Sequence, residues 1–359
     1  MNAHAREPGR HHRQALLREV GAEGQGRLAL GHALIVGCGA LGTVSAEWLC
    51  RAGVGRLTLV DRDIVEGTNL QRQVLFSQRD AREGVPKAEG ARRRLAEIDP
   101  AVRVEALMTD LTPANAQRTA PDAGVILDCT DNFETRYLLN DLAVQRGVAL
   151  VYAGVVAMRG MQLTVLPSGA TPCLRCLFPD PPAPGSAAAG ATCDTVGVLG
   201  PAVGAIASVQ AGEAIKVLLG ATASVARGVL EVELWSGVFR RLDAGPPDPR
   251  CPCCAERRFE FLAGERAPAP GVLCGRGAVQ VGGLGADAQP IDLPALARRL
   301  APHGEFAASR FLVRGALAHE PGDAGSPVTL TVFADGRAIV GGTERPERAR
   351  AIYARYVGG

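Results

Sequence analysis

The stretch Gly37-Cys38-Gly39-Ala40-Leu41-Gly42 constrains this chain more than any other. It follows the short apolar run Ala33-Leu34-Ile35-Val36 and precedes residues 43–52, which read as a helix ended by Gly53. A strand that passes into a helix through the spacing Gly-x-Gly-x-x-Gly belongs to a βαβ unit. Glycine is needed because backbone amides must approach phosphate oxygens with no Cβ in the way, and the helix N-terminus adds positive potential. The next apolar run, Leu57 to Val60, ends at Asp61, where a carboxylate can accept from ribose hydroxyls. Gly37, Gly39, Ala40, Gly42 and Asp61 are therefore expected to hold a nucleotide. A tight structural turn is the alternative, and it leaves the strand, helix and acid unexplained.

The alternation continues downstream. Residues 87–98 read as a helix, 102–107 as a strand, 114–119 as a helix, and 125–127 as a strand ending at Asp128. Residues 132–146 read as a helix, and 149–152 and 161–166 as strands. Strand and helix taking turns predicts an α/β fold with a Rossmann-like, doubly wound, largely parallel sheet. Residues 11–30 read as a helix broken by Gly21, Gly24 and Gly26. The uncharged stretch 195–212, flanked by Asp194 and Glu213, holds glycines and a proline. It reads as a Gly-rich loop leading into a buried helix over 202–219 rather than as a membrane span. Residues 230–234 and 238–242 read as a hairpin.

Residues 1–262 are expected to form one domain and 263–271, where Ala, Pro and Gly gather, a linker. Residues 272–359 are expected to form a small C-terminal α/β domain. In it, 293–300 reads as a helix, 328–333 and 337–340 as a hairpin, and 347–356 as a last helix running up to Gly358-Gly359.

The net charge of +2, without a basic stripe or aromatic-basic interleaving, argues against a nucleic-acid partner. The polar N-terminus, rich in His and Arg, reads as neither secretory signal nor anchor, so a soluble cytoplasmic protein with no membrane partner is expected. Ten cysteines suit that compartment only if some are ligands or catalysts.

Several polar residues exceed what a dinucleotide needs. Asp63 follows Asp61; then come Asn69, Arg72 and Gln73, Lys87, and the run Asp128-Cys129-Thr130-Asp131-Asn132. A triphosphate carries more charge than a dinucleotide bridge. Arg72 and Lys87 can neutralise it, and Asp131 can hold Mg²⁺. Singly, each has a bland reading: Asp131 as a helix cap, Lys87 as a solvated helix start.

Two Cys-x-x-Cys pairs, Cys173 with Cys176 and Cys251 with Cys254, have the spacing of a four-thiolate structural Zn²⁺ site. Cys253, adjacent to Cys254, is an alternative ligand. Cys38, Cys50 and Cys129 read as small core residues, and Cys274 as structural. The six histidines are scattered, without metal or triad spacing.

Taken together, the chain resembles the MoeB/ThiF family, bacterial relatives of ubiquitin-activating enzymes. The matching pieces are Arg10-His11-His12-Arg13-Gln14, the glycine turn, Leu59-Val60-Asp61-Arg62-Asp63, Asn69-Leu70-Gln71-Arg72-Gln73 and Pro86-Lys87. They continue through residues 128–132, Cys173-Leu174-Arg175-Cys176, Thr192-Cys193 and residues 210–216. The likeness is collinear over about residues 10–258. One departure is His11, where the family usually has an aromatic residue.

The resemblance implies an adenylyltransferase that uses ATP with Mg²⁺. It attaches AMP to the C-terminal glycine of a ubiquitin-like sulfur-carrier protein ending in Gly-Gly. It implies that Asp61 holds the ribose, that Asn69, Arg72 and Lys87 hold phosphates, and that Asp131 serves magnesium with Asn132 nearby. Arg13 matches an arginine that reaches the γ-phosphate in a partner subunit's site, so a homodimer is implied. Cys193 lies where some members use a cysteine for thioester or acyl-disulfide chemistry; a spectator thiol is the other reading. An NAD(P)-dependent oxidoreductase and a non-catalytic nucleotide-binding partner subunit are the alternatives, and neither needs Arg13, Arg72, Lys87 and Asp131 together.

Overall fold

Alternate residues of one short strand feed two different cores. β1 (His32–Val36) is buried along its whole length. Its Ala33 and Ile35 pack with Leu49, Leu95 and Ile206, while Leu34 and Val36 pack on the other face with Leu139 and Leu142. Successive side chains of a strand point to opposite faces, so an unbroken apolar run marks a strand covered on both sides.

The computed structural model describes residues 9–167, 169–182, 193–266, 272–273, 277–282, 290–323 and 325–358. The first sheet contains β1, β2 (Arg56–Val60), β3 (Arg103–Leu107), β4 (Val125–Asp128), β5 (Ala149–Val156), β6 (Arg159–Val165), β7 (Val229–Glu233) and β8 (Val238–Leu242). Their order is β3-β2-β1-β4-β5-β6-β7-β8. β1 to β5 pair in parallel, as the alternation predicts. The rest is antiparallel. β5 ends at Val156 and β6 starts at Arg159, and so short a connection permits only an antiparallel return.

The chain runs outward from β1 to β3, then returns to place β4 and β5 on the other side. The order thus reverses between β1 and β4, and their carboxyl ends frame the crevice where open α/β sheets bind ligands.

One face is covered by α3 (Ala40–Arg51), α4 (Lys87–Ile98) and α6 (Gly200–Leu218), the other by α5 (Phe133–Arg146). The N-terminal helical region is two pieces, α1 (His12–Ala15) and α2 (Gly21–Leu30). The break precedes Gly21, and α2 runs through Gly24 and Gly26, contrary to expectation. A Cβ on Gly24 would stand 2.9 Å from a Leu219 methyl, so this glycine permits close packing rather than ending the helix.

Contacts divide the chain into two compact units, residues 1–81 with 86–266, and residues 82–85 with 267–359. The second unit is a six-stranded sheet with entirely antiparallel pairing. α7 (Leu293–Leu300) and α8 (Pro346–Tyr356) pack their Leu296, Leu300, Ala349 and Ile352 on Val313, Leu317, Leu330 and Val340. α8 stops at a turn in which Gly358 takes a φ of +98° and donates its N–H to Tyr353 O. Cys274 lies outside the described residues. No helix among the described residues is long and apolar enough to cross a membrane.

Candidate functional site

The three glycines of the turn do different work. At Gly37 the φ is +92°, and a Cβ would stand 2.5 Å from Cys129 O. At Gly42 a Cβ would stand 1.8 Å from Gly37 O. Both are demanded by the protein's own packing. At Gly39 the nearest atom to a Cβ is Gln73 Nε2 at 4.0 Å, so there is room for a ligand to approach the backbone. Gly39 is the N-cap of α3 and Ala40 its first residue, so the unpaired amides of the helix start face this cradle. Gln73 is 3% exposed, and its Oε1 is sealed from water without a partner in the protein. The Gln73 atom that borders the open glycine backbone is its amide nitrogen, a donor.

Asp61 closes the cradle from the end of β2. Its Oδ2 accepts from Cys38 N at 2.6 Å and its Oδ1 from Asp63 N at 2.7 Å. Each oxygen keeps acceptor capacity for a ribose hydroxyl. Burial pushes this carboxyl above its usual range, against the opposing pull of the Lys87 ammonium. Lys87, the first residue of α4, is 4% exposed and reaches Asp63 Oδ2 at 3.0 Å, while its backbone N–H donates to Asp63 O at 2.9 Å. Lys87 is therefore not a solvated helix start. Asn69 is buried in a one-turn capping box, its Oδ1 accepting from Glu66 N. Arg72 is half-buried and donates to Thr68 O at 2.9 Å.

β4 delivers the second wall. The N-cap of α5 is Asn132, whose Oδ1 accepts from Thr135 N at 2.8 Å. Asp131 is thus not consumed as a cap, and it is exposed at the carboxyl end of the sheet. Two residues that sequence reasoning did not assign hold this wall. Gln210, fully buried on α6, donates to Asp128 O and Val151 O, both at 2.8 Å, and accepts from Ser45 Oγ at 2.9 Å. Arg136 bonds Asp128 and Thr130 O. Gln210 appeared only inside a motif match; Arg136, four residues beyond Asn132, had no signal except that spacing. Cys38, Cys50 and Cys129 are buried as expected, and burial pushes their thiols up.

Arg13 belongs to α1. Its neighbours are tied down: Arg10 bonds Ile98 O, His11 lies 3.8 Å from Asp99, and Gln14 bonds Ala52 O at 3.0 Å. Arg13 itself is exposed on α1. Cys193 opens a single helical turn, residues Cys193–Val196, and its side chain lies outside the described residues.

The two Cys-x-x-Cys pairs come together. Cys173 and Cys251 sulfurs are 3.5 Å apart, Cys176 and Cys254 3.4 Å, Cys173 and Cys176 3.8 Å, and all four lie within 4.8 Å of one another. A tetrahedron with zinc–sulfur bonds of about 2.3 Å has edges of about 3.8 Å, so the four fit Zn²⁺. Cys253 instead accepts from Asn140 Nδ2 at 3.2 Å, outside that cluster. Asn140 also donates toward Cys173 Sγ and accepts from Leu174 N, tying α5 to the cluster.

The ThiF family model matches residues 11–253. The chain is 39% identical over 352 residues to the sulfur carrier protein ThiS adenylyltransferase of Bacillus subtilis (strain 168), covering 98% of this chain and 99% of that one. It is 41% identical over 252 residues to the sulfur carrier protein adenylyltransferase of Thermus thermophilus, covering 69% and 90% of the two chains. Among solved structures, E. coli MccB with ATP matches with a TM-score of 0.58 at 22% identity, over 69% of this chain and 75% of that one, a likeness of fold. The collinear pieces, the fold they build and a relative matched nearly end to end agree: this chain belongs to the ThiF family.

Proposed function

We propose that this chain is a ubiquitin-activating-type adenylyltransferase. It uses ATP to adenylylate the C-terminal glycine of a ubiquitin-like sulfur-carrier protein ending in Gly-Gly, in the synthesis of a sulfur-containing cofactor or metabolite. The observation that carries this reading is the chain of contacts from Cys38 N in the glycine turn through Asp61 and Asp63 to the buried Lys87. A dinucleotide bridge needs no such buried ammonium; a triphosphate does. The names of the Bacillus and Thermus relatives agree with it.

In this reading the carrier's carboxylate oxygen attacks the α-phosphorus of ATP, the bond to the bridging oxygen breaks, and pyrophosphate leaves with that bond's electrons. A carboxylate needs no general base, so positioning and charge stabilisation supply the acceleration. Gly37, Gly39, Ala40 and Gly42 hold the backbone open; Asp61 takes the ribose; Asn69, Arg72, Gln73 and Lys87 surround the phosphates, with Asp63 setting the place of Lys87. Asp131, beside Asn132, would hold Mg²⁺, which neutralises phosphate charge when bound. Arg13, left exposed by its anchored neighbours, reaches a second subunit's phosphates, so a homodimer is the working state. Cys193 serves transfer after adenylylation. Cys173, Cys176, Cys251 and Cys254 hold a structural Zn²⁺ that pins the segment near residue 251 to α5. Residues 263–271 act as a linker and 272–359 as a docking or regulatory domain. The cytoplasm is the compartment this chemistry implies.

ATP–pyrophosphate exchange tests the reading. Exchange should require a carrier ending in Gly-Gly and vanish when its last glycine is removed. Absence of carrier-dependent exchange would overturn it.

A further inference from the structure

The turn that presents Asp131 is clamped by Arg136. This residue lies one helical turn beyond the N-cap Asn132, so its side chain reaches back over the start of α5. Its Nε donates to Asp128 Oδ2 at 3.2 Å, and its Nη2 donates to Thr130 O at 2.9 Å. The guanidinium carbon sits 4.8 Å from the ring centre of Tyr152 and 5.4 Å from that of Phe133. Only 12% of the Arg136 side chain is exposed, and none of Asp128.

Asp128 completes the clamp from within. Its Oδ1 accepts from Thr130 N at 3.0 Å and from Thr130 Oγ1 at 2.6 Å. The same turn abuts the glycine loop: Cys129 N donates to Val36 O at 2.9 Å, and Cys129 O fills the space a Cβ on Gly37 would need. One guanidinium therefore ties together the end of β4, the carbonyl just before Asp131 and the aromatic floor on β5.

We propose that Arg136 is a positioning residue for Asp131: it fixes the 128–130 turn so that the Asp131 carboxylate stands at the carboxyl edge of the sheet. This rests on the reading of Asp131 as the carboxylate that serves ATP·Mg²⁺. Nε and Nη2 of Arg136 are both engaged by the 128–130 turn, so it acts through that turn. Only arginine suits the place. Its planar fork reaches a carboxylate and a carbonyl at once while its face lies on an aromatic ring; a lysine ammonium offers one nitrogen and no flat face.

The test uses the full chain with Arg136→Lys, Asp131→Asn and the milder Thr130→Val. Amide hydrogen exchange is followed without nucleotide, and carrier-dependent ATP–pyrophosphate exchange is followed against ATP and Mg²⁺. In Arg136→Lys the Thr130 amide should exchange about tenfold faster while β4 and the body of α5 stay protected. Its kcat should fall about 10- to 100-fold with less than about a threefold change in KM for ATP, and half-saturating Mg²⁺ should rise. Thr130→Val, which keeps the shape but loses one bond to Asp128, should move the same quantities less, and it carries the test if Arg136→Lys does not fold. Asp131→Asn should lose exchange activity with the turn still protected. A protected turn with unchanged kcat in Arg136→Lys, or in Thr130→Val should that variant stand alone, would overturn the assignment. Full activity of Asp131→Asn would remove the reading beneath it, a result distinct from either.

Discussion

The Lys87 ammonium stands 3.0 Å from a carboxylate oxygen of Asp63, with the two side chains 5% and 14% exposed. The residues are also joined by a backbone hydrogen bond from Lys87 N to Asp63 O. The start of α4 is thus locked to the loop after β2, and a cation is kept near the glycine turn at the cost of desolvating it. Removing one partner of a buried pair costs up to about 3–5 kcal/mol where the other charge is stranded. Asp63→Ala should lower unfolding free energy in urea by less than that, since Asp61 still faces the Lys87 ammonium, whereas Lys87→Met should abolish pyrophosphate exchange. An Asp63→Ala protein as stable as wild type would contradict the pairing.

Gly39 and Gly42 separate binding from folding. The space at Gly39 accepts a methyl, so Gly39→Ala should lose ATP affinity by about tenfold or more and cost less stability than Gly42→Ala. Gly42→Ala drives a Cβ into Gly37 O and should lower the melting temperature by several degrees or prevent folding, as overpacking of a tight core does at about 1–3 kcal/mol or above. Calorimetric titration with ATP alongside thermal melts reads both; the idea fails if the two variants behave alike.

On the proposed mechanism Asp131 and Cys193 serve different steps. Asp131→Ala, at an exposed position, should melt with wild type but lose at least about a hundredfold in carrier-dependent exchange. Cys193→Ala should keep full exchange and affect only the later sulfur transfer. Loss of exchange in Cys193→Ala would move that thiol into the adenylylation step.

The four-sulfur cluster should bind about one zinc per chain, and metal analysis of protein purified without added metal reads this directly. Cys251→Ser should lose the metal and several kcal/mol of stability, since zinc binding to a preformed thiolate site contributes to folding. Cys253→Ser should retain the metal, because its sulfur is engaged by Asn140 and is not one of the four. Full zinc content in Cys251→Ser would make Cys253 a ligand instead.

In the second unit, Asp323 accepts from Thr343 Oγ1 at 2.7 Å and pairs with Arg348 and Arg345. The Thr343 hydroxyl and these guanidinium groups hold its carboxyl at about 2, below the ordinary 3.8. A lowered folded-state pKa means the contribution is complete above about pH 3.8 and is lost as pH falls toward 2. Asp323→Asn should therefore show a shallower acid dependence of melting across that interval. A carboxyl resonance for Asp323 titrating near 3.8 in the folded protein would refute the pairing.

Much of this was legible in the sequence because it is local. The glycine spacing is read within six residues, the alternation of apolar runs and helices gives strand direction, and each Cys-x-x-Cys pair presents two sulfurs to one centre. The glycines of α2 misled for the same local reason. The close contact of Gly24 is with Leu219, and nothing within residues 11–30 reveals that neighbour.

What the sequence by itself determined is the set of groups available: a glycine turn between strand and helix, an acid after the next strand, cations and carboxylates downstream, and two pairs of thiols. The tertiary structure decided how those groups are held. Gln210 meets Asp128 O across 82 positions, Lys87 meets Asp63 across 24, and Asn132 rather than Asp131 takes the helix cap. Spacing rules report neighbours along the chain, whereas burial and hydrogen-bond satisfaction depend on which elements the sheet order brings together. That is why candidate site residues could be proposed from the sequence and their supports could not.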